Sequence, residues 1–133
     1  TVSGTIGFTF QGLTATATME STIRDNNTDK VYWANNYTVT LSEGPNYDDA
    51  AIAGRYYDPD SGYVNVASTT PFRHFVGDLY PSDGVLVIDG NTGIAGGSTM
   101  ARLTVHSSTN YEIDADTNGD GTYDWNSGIL TWQ

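Results

Sequence analysis

Residues 6–23, IGFTFQGLTATATMESTI, alternate apolar and small polar side chains over most of their length. Ile6, Phe8 and Phe10 share one parity, and Gln11-Gly12 forms a short link to the next run. The apolar positions of that next run are Leu13, Ala15, Ala17, Met19 and Ile23, and threonine fills most positions between them. Successive side chains of a β-strand point to opposite faces. The pattern therefore predicts two antiparallel strands with one apolar face and one threonine-rich, solvated face.

The same rhythm continues along the chain. Further strands are predicted around residues 37–41, 64–66, 85–88, 100–105, 111–115 and 129–132. Turn residues separate them at 25–29, 43–49, 58–62, 81–84, 89–93 and 107–110. Turn signals about 8–12 residues apart are typical of a sandwich, barrel or meander. We expect residues 1–133 to form a single all-β domain, an antiparallel β-sandwich or rolled-up barrel of about nine or ten strands.

The charge balance excludes several classes of partner. Five Lys and Arg residues face 16 Asp and Glu residues, which gives a net charge of −11. A nucleic-acid partner requires basic side chains to neutralise phosphates, and an anionic membrane surface requires them as well. We therefore expect no nucleic acid, and the apolar runs are too short for a membrane span. An acidic chain favours cations, of which calcium is the first candidate.

One acidic stretch has the order of a calcium-binding loop. From Asp116 it reads D-x-N-x-D-G-x-x-D, which places oxygen side chains at loop positions 1, 3, 5 and 9 and Gly121 at position 6. Calcium takes many oxygen ligands from a chain that curls around it. The ligands predicted in this way are Asp116, Asn118, Asp120, Asp124 and the backbone carbonyl of Thr122, with Asp114 as an additional candidate.

This segment resembles the calcium loops of thrombospondin type 3 repeats and dockerins, which also use D-x-[DN]-x-D-G. The resemblance implies a Ca²⁺ cofactor. The chain has Ser127 where an EF-hand loop has a bidentate Glu, which favours a weak, extracellular type of site with a Kd of roughly 10⁻⁴–10⁻³ M. A second register starts at Asp114, and a metal-free hairpin turn is the alternative to both. Residues 80–133 also resemble uncharacterised secreted, often lipid-anchored, bacterial β-proteins.

The sequence contains no recognisable catalytic constellation. His74 and His106 are the only histidines, and neither lies in a zinc motif or a nucleophile motif. The chain has no cysteine, which excludes a thiol nucleophile and disulfides. Paired carboxylates occur at 25/29, 48/49 and 58/60, and a glycosidase would need two acids at a fixed separation. Solvated turns are the simpler interpretation, and we expect no enzyme.

Two further segments are candidate binding surfaces. The first is a group of aromatic residues that could stack on sugar rings if they are exposed: Trp33, Tyr56, Tyr57 and Tyr63. Packing in the core is the alternative. The strand within residues 1–10 begins at the first residue and could pair with a neighbouring copy, with pairing inside its own sheet as the alternative.

Together these features predict a non-enzymatic, calcium-stabilised structural protein, secreted or at the cell surface and bacterial in origin. We expect self-association through β-strand edges, as in a surface or adhesive protein or a repeating subunit of a filament or matrix. A calcium-containing carbohydrate-binding module, with glycans as partners, is the alternative.

Overall fold

The structure is a computed structural model that describes residues 1–90 and 99–133. The predicted turn at 89–93 extends into the interval between these ranges and lies partly outside the described residues. The described part of the chain contains no helix and has ten strands: β1 (Val2–Gln11), β2 (Thr14–Arg24), β3 (Val31–Glu43), β4 (Tyr47–Asp58), β5 (Gly62–Phe75), β6 (Asp83–Gly90), β7 (Met100–Ser107), β8 (Asn110–Asp116), β9 (Trp125–Asn126) and β10 (Leu130–Thr131).

The strands form one antiparallel sheet in which each long strand pairs with the next one along the chain. The order runs from β1 to β8 and then β10, and β9 also pairs with β8. The all-β class and the strand number predicted from the sequence are confirmed. Of the architectures typical of such turn spacing, the fold is a meander: its ten strands belong to a single sheet that is not closed.

Strand register carries the sequence alternation across the sheet. Phe8 lies opposite Ala17, and Ala17 lies opposite Val39, so apolar side chains line up on one face. On the other face, hydroxyl groups meet across the strands, with 3.2 Å between the Oγ1 atoms of Thr16 and Thr40. We call these the apolar face and the threonine face. The sequence alternation thus predicted both faces of β1 and β2.

Register shifts interrupt four of the strand pairs within β2–β6. One shift falls between Met19 and Ser21, and a second falls between Asn35 and Thr38, where Asn36 has a positive φ of 47°. Bulges of this kind bend a strand and increase its twist. The apolar face of β1–β5 encloses a groove of about 790 Å³, lined among others by Ile6, Met19 and Val66.

Burial increases along the sheet from β1 towards β8. Every residue of β1 is exposed, whereas Val105 of β7 is 4% exposed and is the one buried hydrophobic residue of the described ranges. Near Val105, the ring of Trp132 stacks on Tyr111 at 4.2 Å and on Tyr80 at 5.4 Å between centroids. The molecule therefore has a well-packed end at β6–β8 and an open end at β1.

Candidate functional site

The acidic loop after β8 is organised around Asp116, which is 1% exposed. Its Oδ1 accepts the amide N–H of Gly119 at 2.7 Å, and its Oδ2 accepts that of Gly121 at 2.8 Å. Gly121 has a φ of +88°, a conformation that glycine adopts more readily than other residues. The turn glycine of the sequence motif therefore donates its N–H to the first predicted ligand.

The other predicted ligands also bind amides of the loop. The Oδ1 of Asn118 accepts the N–H of Asp120 at 2.9 Å, and the Oδ1 of Asp120 accepts that of Thr122 at 2.8 Å. The hydrogen bond from the Thr122 hydroxyl is the main cause of a lowered pKa at Asp120. Asp124 accepts both the N–H and the hydroxyl of Thr117, at 2.8 and 3.0 Å.

Asp114 lies apart from these hydrogen bonds, on β8. Its carboxylate accepts the Asn126 amide at 2.6 Å and the Arg102 guanidinium at 2.7 Å. These two donors, Asn126 first and Arg102 second, hold the pKa of Asp114 below its ordinary value. Both carboxylate oxygens of Asp114 are thus occupied by side chains of neighbouring strands, whereas Asp116 is bound by its own loop.

In this arrangement the carboxylates of the loop bind separate N–H groups. Across residues 1–90 and 99–133, no three His, Cys, Asp or Glu side chains come together as a metal ion would require. Hydrogen bonds within the loop hold its shape. The predicted ligand set of Asp114, Asp116, Asn118, Asp120, Thr122 and Asp124 stays a prediction.

The other carboxylate pairs occupy turns or ion pairs. Asp25 and Asp58 accept amides of their own turns, from Asn27 at 2.9 Å and from Asp60 at 2.9 Å. Asp49 forms a bidentate ion pair with Arg73, at 2.9 and 2.8 Å. The histidines have polar neighbours as well: the Nε2 of His74 lies 2.6 Å from the carbonyl of Asp78, and that of His106 lies 2.9 Å from Glu112.

The predicted aromatic cluster is divided between the two faces of the sheet. Tyr56 lines the groove of the apolar face. Tyr57 lies opposite Trp33 on β3 and opposite Tyr63 on β5, so these three rings form a row across three strands. Trp33 is 40% exposed and Tyr57 is 37% exposed, while the Arg55 guanidinium lies 4.4 Å from the centroid of the Tyr63 ring. Sequence adjacency grouped Tyr56 with Tyr57, whereas the register separates them.

Among the described strands, β1 pairs with β2 alone and forms one edge of the sheet. Thr1 and Arg24 exchange both backbone hydrogen bonds, at 2.7 Å each, and the pairing of β1 with β2 continues without a bulge. Since backbone groups alternate in direction along an antiparallel strand, the even-numbered residues of β1 point their N–H and C=O groups away from β2. These residues are Val2, Gly4, Ile6, Phe8 and Phe10.

Side chains on this edge are strongly exposed. Ile6 is 62% exposed, Phe8 is 66% exposed and Phe10 is 79% exposed. Edge strands are usually protected by charged side chains, Lys above all, or by Pro. The first 19 residues contain neither a charged side chain nor a Pro. The sequence identified this strand but not the groove beside it, because residues from five strands form the groove and only their register brings them together.

Comparison with models of known protein families, with curated proteins and with solved structures finds no match for this chain. Among the described residues, no helix has the length and apolar character needed to cross a membrane.

Proposed function

We propose that this chain is a non-enzymatic, extracellular structural protein that self-associates through a β-strand edge. The observation that supports the proposal is the edge of β1, where five residues have backbone groups that point away from β2 and four of them carry exposed apolar side chains. Such an edge is a template for strand addition, in which main-chain hydrogen bonds provide affinity and alternate side chains provide specificity.

The charge distribution supports the same proposal. The chain carries a net charge of −11, yet its first charged side chain is Glu20. Copies of an acidic protein repel one another at most of their surface. The uncharged β1 strand is therefore a part of the surface where two copies can approach without bringing like-charged side chains of that strand together.

Calcium is the second part of the proposal, and it is supported by the ligand order of residues 116–124. A bound cation would fix this loop and reduce repulsion between acidic copies. Anything that binds the folded state alone stabilises it by mass action. Millimolar calcium should therefore raise the urea midpoint of the purified chain, and magnesium at the same concentration serves as the control for ionic strength.

The experiment that tests self-association is multi-angle light scattering of the chain, first in millimolar calcium and then in EGTA. We expect particles larger than the 14.3 kDa monomer, and their loss in EGTA would place the cation at the contacts. A monomer at every concentration in both solutions would overturn the proposal.

A second candidate function is carbohydrate binding on the threonine face. The observation that favours it is the row formed by Trp33, Tyr57 and Tyr63, of which the first two are exposed. Flat aromatic rings in a row suit stacking against the apolar faces of successive sugar residues. This candidate predicts binding to a glycan array that Trp33→Ala removes. Trp125→Ala is the matched control, because Trp125 is 50% exposed and lies outside the row. Equal binding by both variants would refute a site at the row.

A further inference from the structure

We propose that β1 pairs with β1 of a second copy in an antiparallel arrangement. The twofold axis that relates the two copies passes midway between their Ile6 residues. This inference rests on the proposed function, since it specifies the contact through which the copies associate. The partner is thus a second copy of this chain, and the contact is isologous: the same strand serves both copies.

The direction of the free backbone groups determines which residues can pair. Residues of β1 that point towards a neighbour are Val2, Gly4, Ile6, Phe8 and Phe10, all of one parity. In an antiparallel pair, such residues lie opposite residues of the same kind. If Ile6 faces its own counterpart, Gly4 faces Phe8 and Val2 faces Phe10, so every free group of both strands finds a partner. This register forms about ten hydrogen bonds, two for each of five pairs.

The side chains fit the same register. Gly4 has no side chain on the apolar face, and the Phe8 ring of the second copy would lie over it, an arrangement that protects edge glycines in β-sheets. Gly4 is also fixed by its own sheet, because a Cβ there would lie 2.1 Å from the carbonyl oxygen of Glu20. The Phe8 and Phe10 side chains are 66% and 79% exposed in the single copy, and contact with the second copy would reduce this exposure.

The opposite end of the sheet offers no comparable edge in the described part of the chain. It is formed by β9 and β10, which have two residues each and pair with β8. Strand β8 itself carries three carboxylates, Glu112, Asp114 and Asp116. A head-to-tail contact between β1 and this end would therefore be short and close to acidic groups, whereas β1 against β1 is long and uncharged.

Engineered cysteines test the register directly, because the chain has no cysteine of its own. Opposed residues have Cα atoms about 5.5 Å apart, within the 4.4–6.8 Å span of a disulfide. Ile6→Cys should form a covalent dimer on mild oxidation. Val2→Cys and Phe10→Cys should each form no disulfide-linked dimer alone, since each lies about 26 Å from its own counterpart, but should cross-link when the two variants are mixed.

The control for random collision is Ile129→Cys, an exposed residue at the other end of the molecule. Its cross-linking rate should be at least about tenfold below that of Ile6→Cys. Copies that associate without these cross-links would overturn the register and leave the proposed function in place. The same conclusion would follow if Phe8→Cys were the one variant that forms covalent dimers, because Phe8 faces Gly4 in the proposed register. A chain that is monomeric at all concentrations would overturn both.

A charge substitution gives an independent test. Ile6→Lys places two ammonium groups opposite each other on the twofold axis, and like charges directly opposed destabilise a strand pair. We expect sedimentation equilibrium to show a dimer dissociation constant at least about tenfold higher, with unchanged far-ultraviolet circular dichroism. Ile129→Lys is the matched control, because Ile6 is 62% exposed and Ile129 is 57% exposed. An equal effect of both substitutions would contradict the proposed contact.

Discussion

Asp116 is a carboxylate that the fold hides almost completely, and the donors it accepts belong to the same loop. Gly119 and Gly121 each donate an amide N–H to one of its two oxygens. The sequence identified Asp116 as the first residue of a predicted ligand series, and the structure adds that its carboxylate accepts two amide N–H groups of the loop. That role could not be deduced from spacing, because spacing does not show which acceptor binds which amide.

Replacing Asp116 by alanine should destabilise the chain by about 1–3 kcal/mol, because two amide N–H groups lose their acceptor where water has little access. Urea unfolding measures the change. The control is Asp120→Ala, since the carboxylate of Asp120 is exposed and water can replace it at the Thr122 amide. If both substitutions had the same small effect, the Asp116 hydrogen bonds would not be important for stability.

Asp114 should contribute to the dependence of stability on pH. Asn126 and Arg102 lower its pKa below the ordinary value of 3.8 in the folded chain. A lowered folded pKa gives stability that is present above pH 3.8 and is lost as the pH falls through the folded pKa. Asp114→Asn should therefore unfold with a weaker acid dependence between pH 5 and pH 2 than the parent chain, as measured by urea midpoints across that range. An unchanged dependence would contradict the ion pair with Arg102.

At the scale of the elements, alternation predicted which side chains share a face but not how the strands curve. The alternation in residues 6–23 predicted both strands, since a period of two is a local property, but the link was predicted one residue too early: the turn is Gly12-Leu13, and Gln11 belongs to β1. The bulges near Glu20, Asn36 and Ala51 have no comparable local signal, because they arise where two registers must be reconciled. For the same reason the sequence could not separate Tyr56 from Tyr57 as binding candidates.

Gly84 at the start of β6 is required by the close approach of β5. Its φ is +142°, and a Cβ there would lie 2.5 Å from the Phe72 ring and 2.9 Å from the Phe72 Cα. Gly84→Ala should therefore cost about 1–3 kcal/mol in urea unfolding. Gly7→Ala is the matched control, because nothing lies within 4 Å of its Cβ position, and it should be neutral or stabilise by about 0.4–1 kcal/mol. The reverse ranking would show that β5 and β6 do not pack in this way.

At the scale of the whole molecule, the chain is long enough to bury a substantial core, yet its described strands all belong to a single open sheet. The continuous apolar run at 85–88 is half-buried throughout. Alternation and turn residues predicted the all-β class because both reflect local preferences of the chain. Whether the sheet stays open depends on how bends accumulate over ten strands, and no short stretch of sequence carries that information.

Salt should strengthen association of the whole chain. Two copies of charge −11 repel each other, and the Debye length falls from about 30 Å at 0.01 M salt to about 10 Å at 0.1 M. Because β1 contributes no ion pair to the proposed contact, sedimentation equilibrium should give a dimer dissociation constant that falls as sodium chloride rises over this range. Weaker association at higher salt would indicate a contact held by ion pairs, located elsewhere on the surface.

Trp132, which stacks on Tyr111 and Tyr80, provides an intrinsic fluorescent probe of the β6–β8 end of the molecule. Its indole Nε1 is buried, whereas Trp33 and Trp125 are 40% and 50% exposed. Acrylamide should therefore quench the fluorescence of two tryptophans and spare the third, whose emission lies at shorter wavelength. That residual fluorescence would follow the opening of the β6–β8 end during unfolding, without any dye and far from the strand through which we propose that the copies associate.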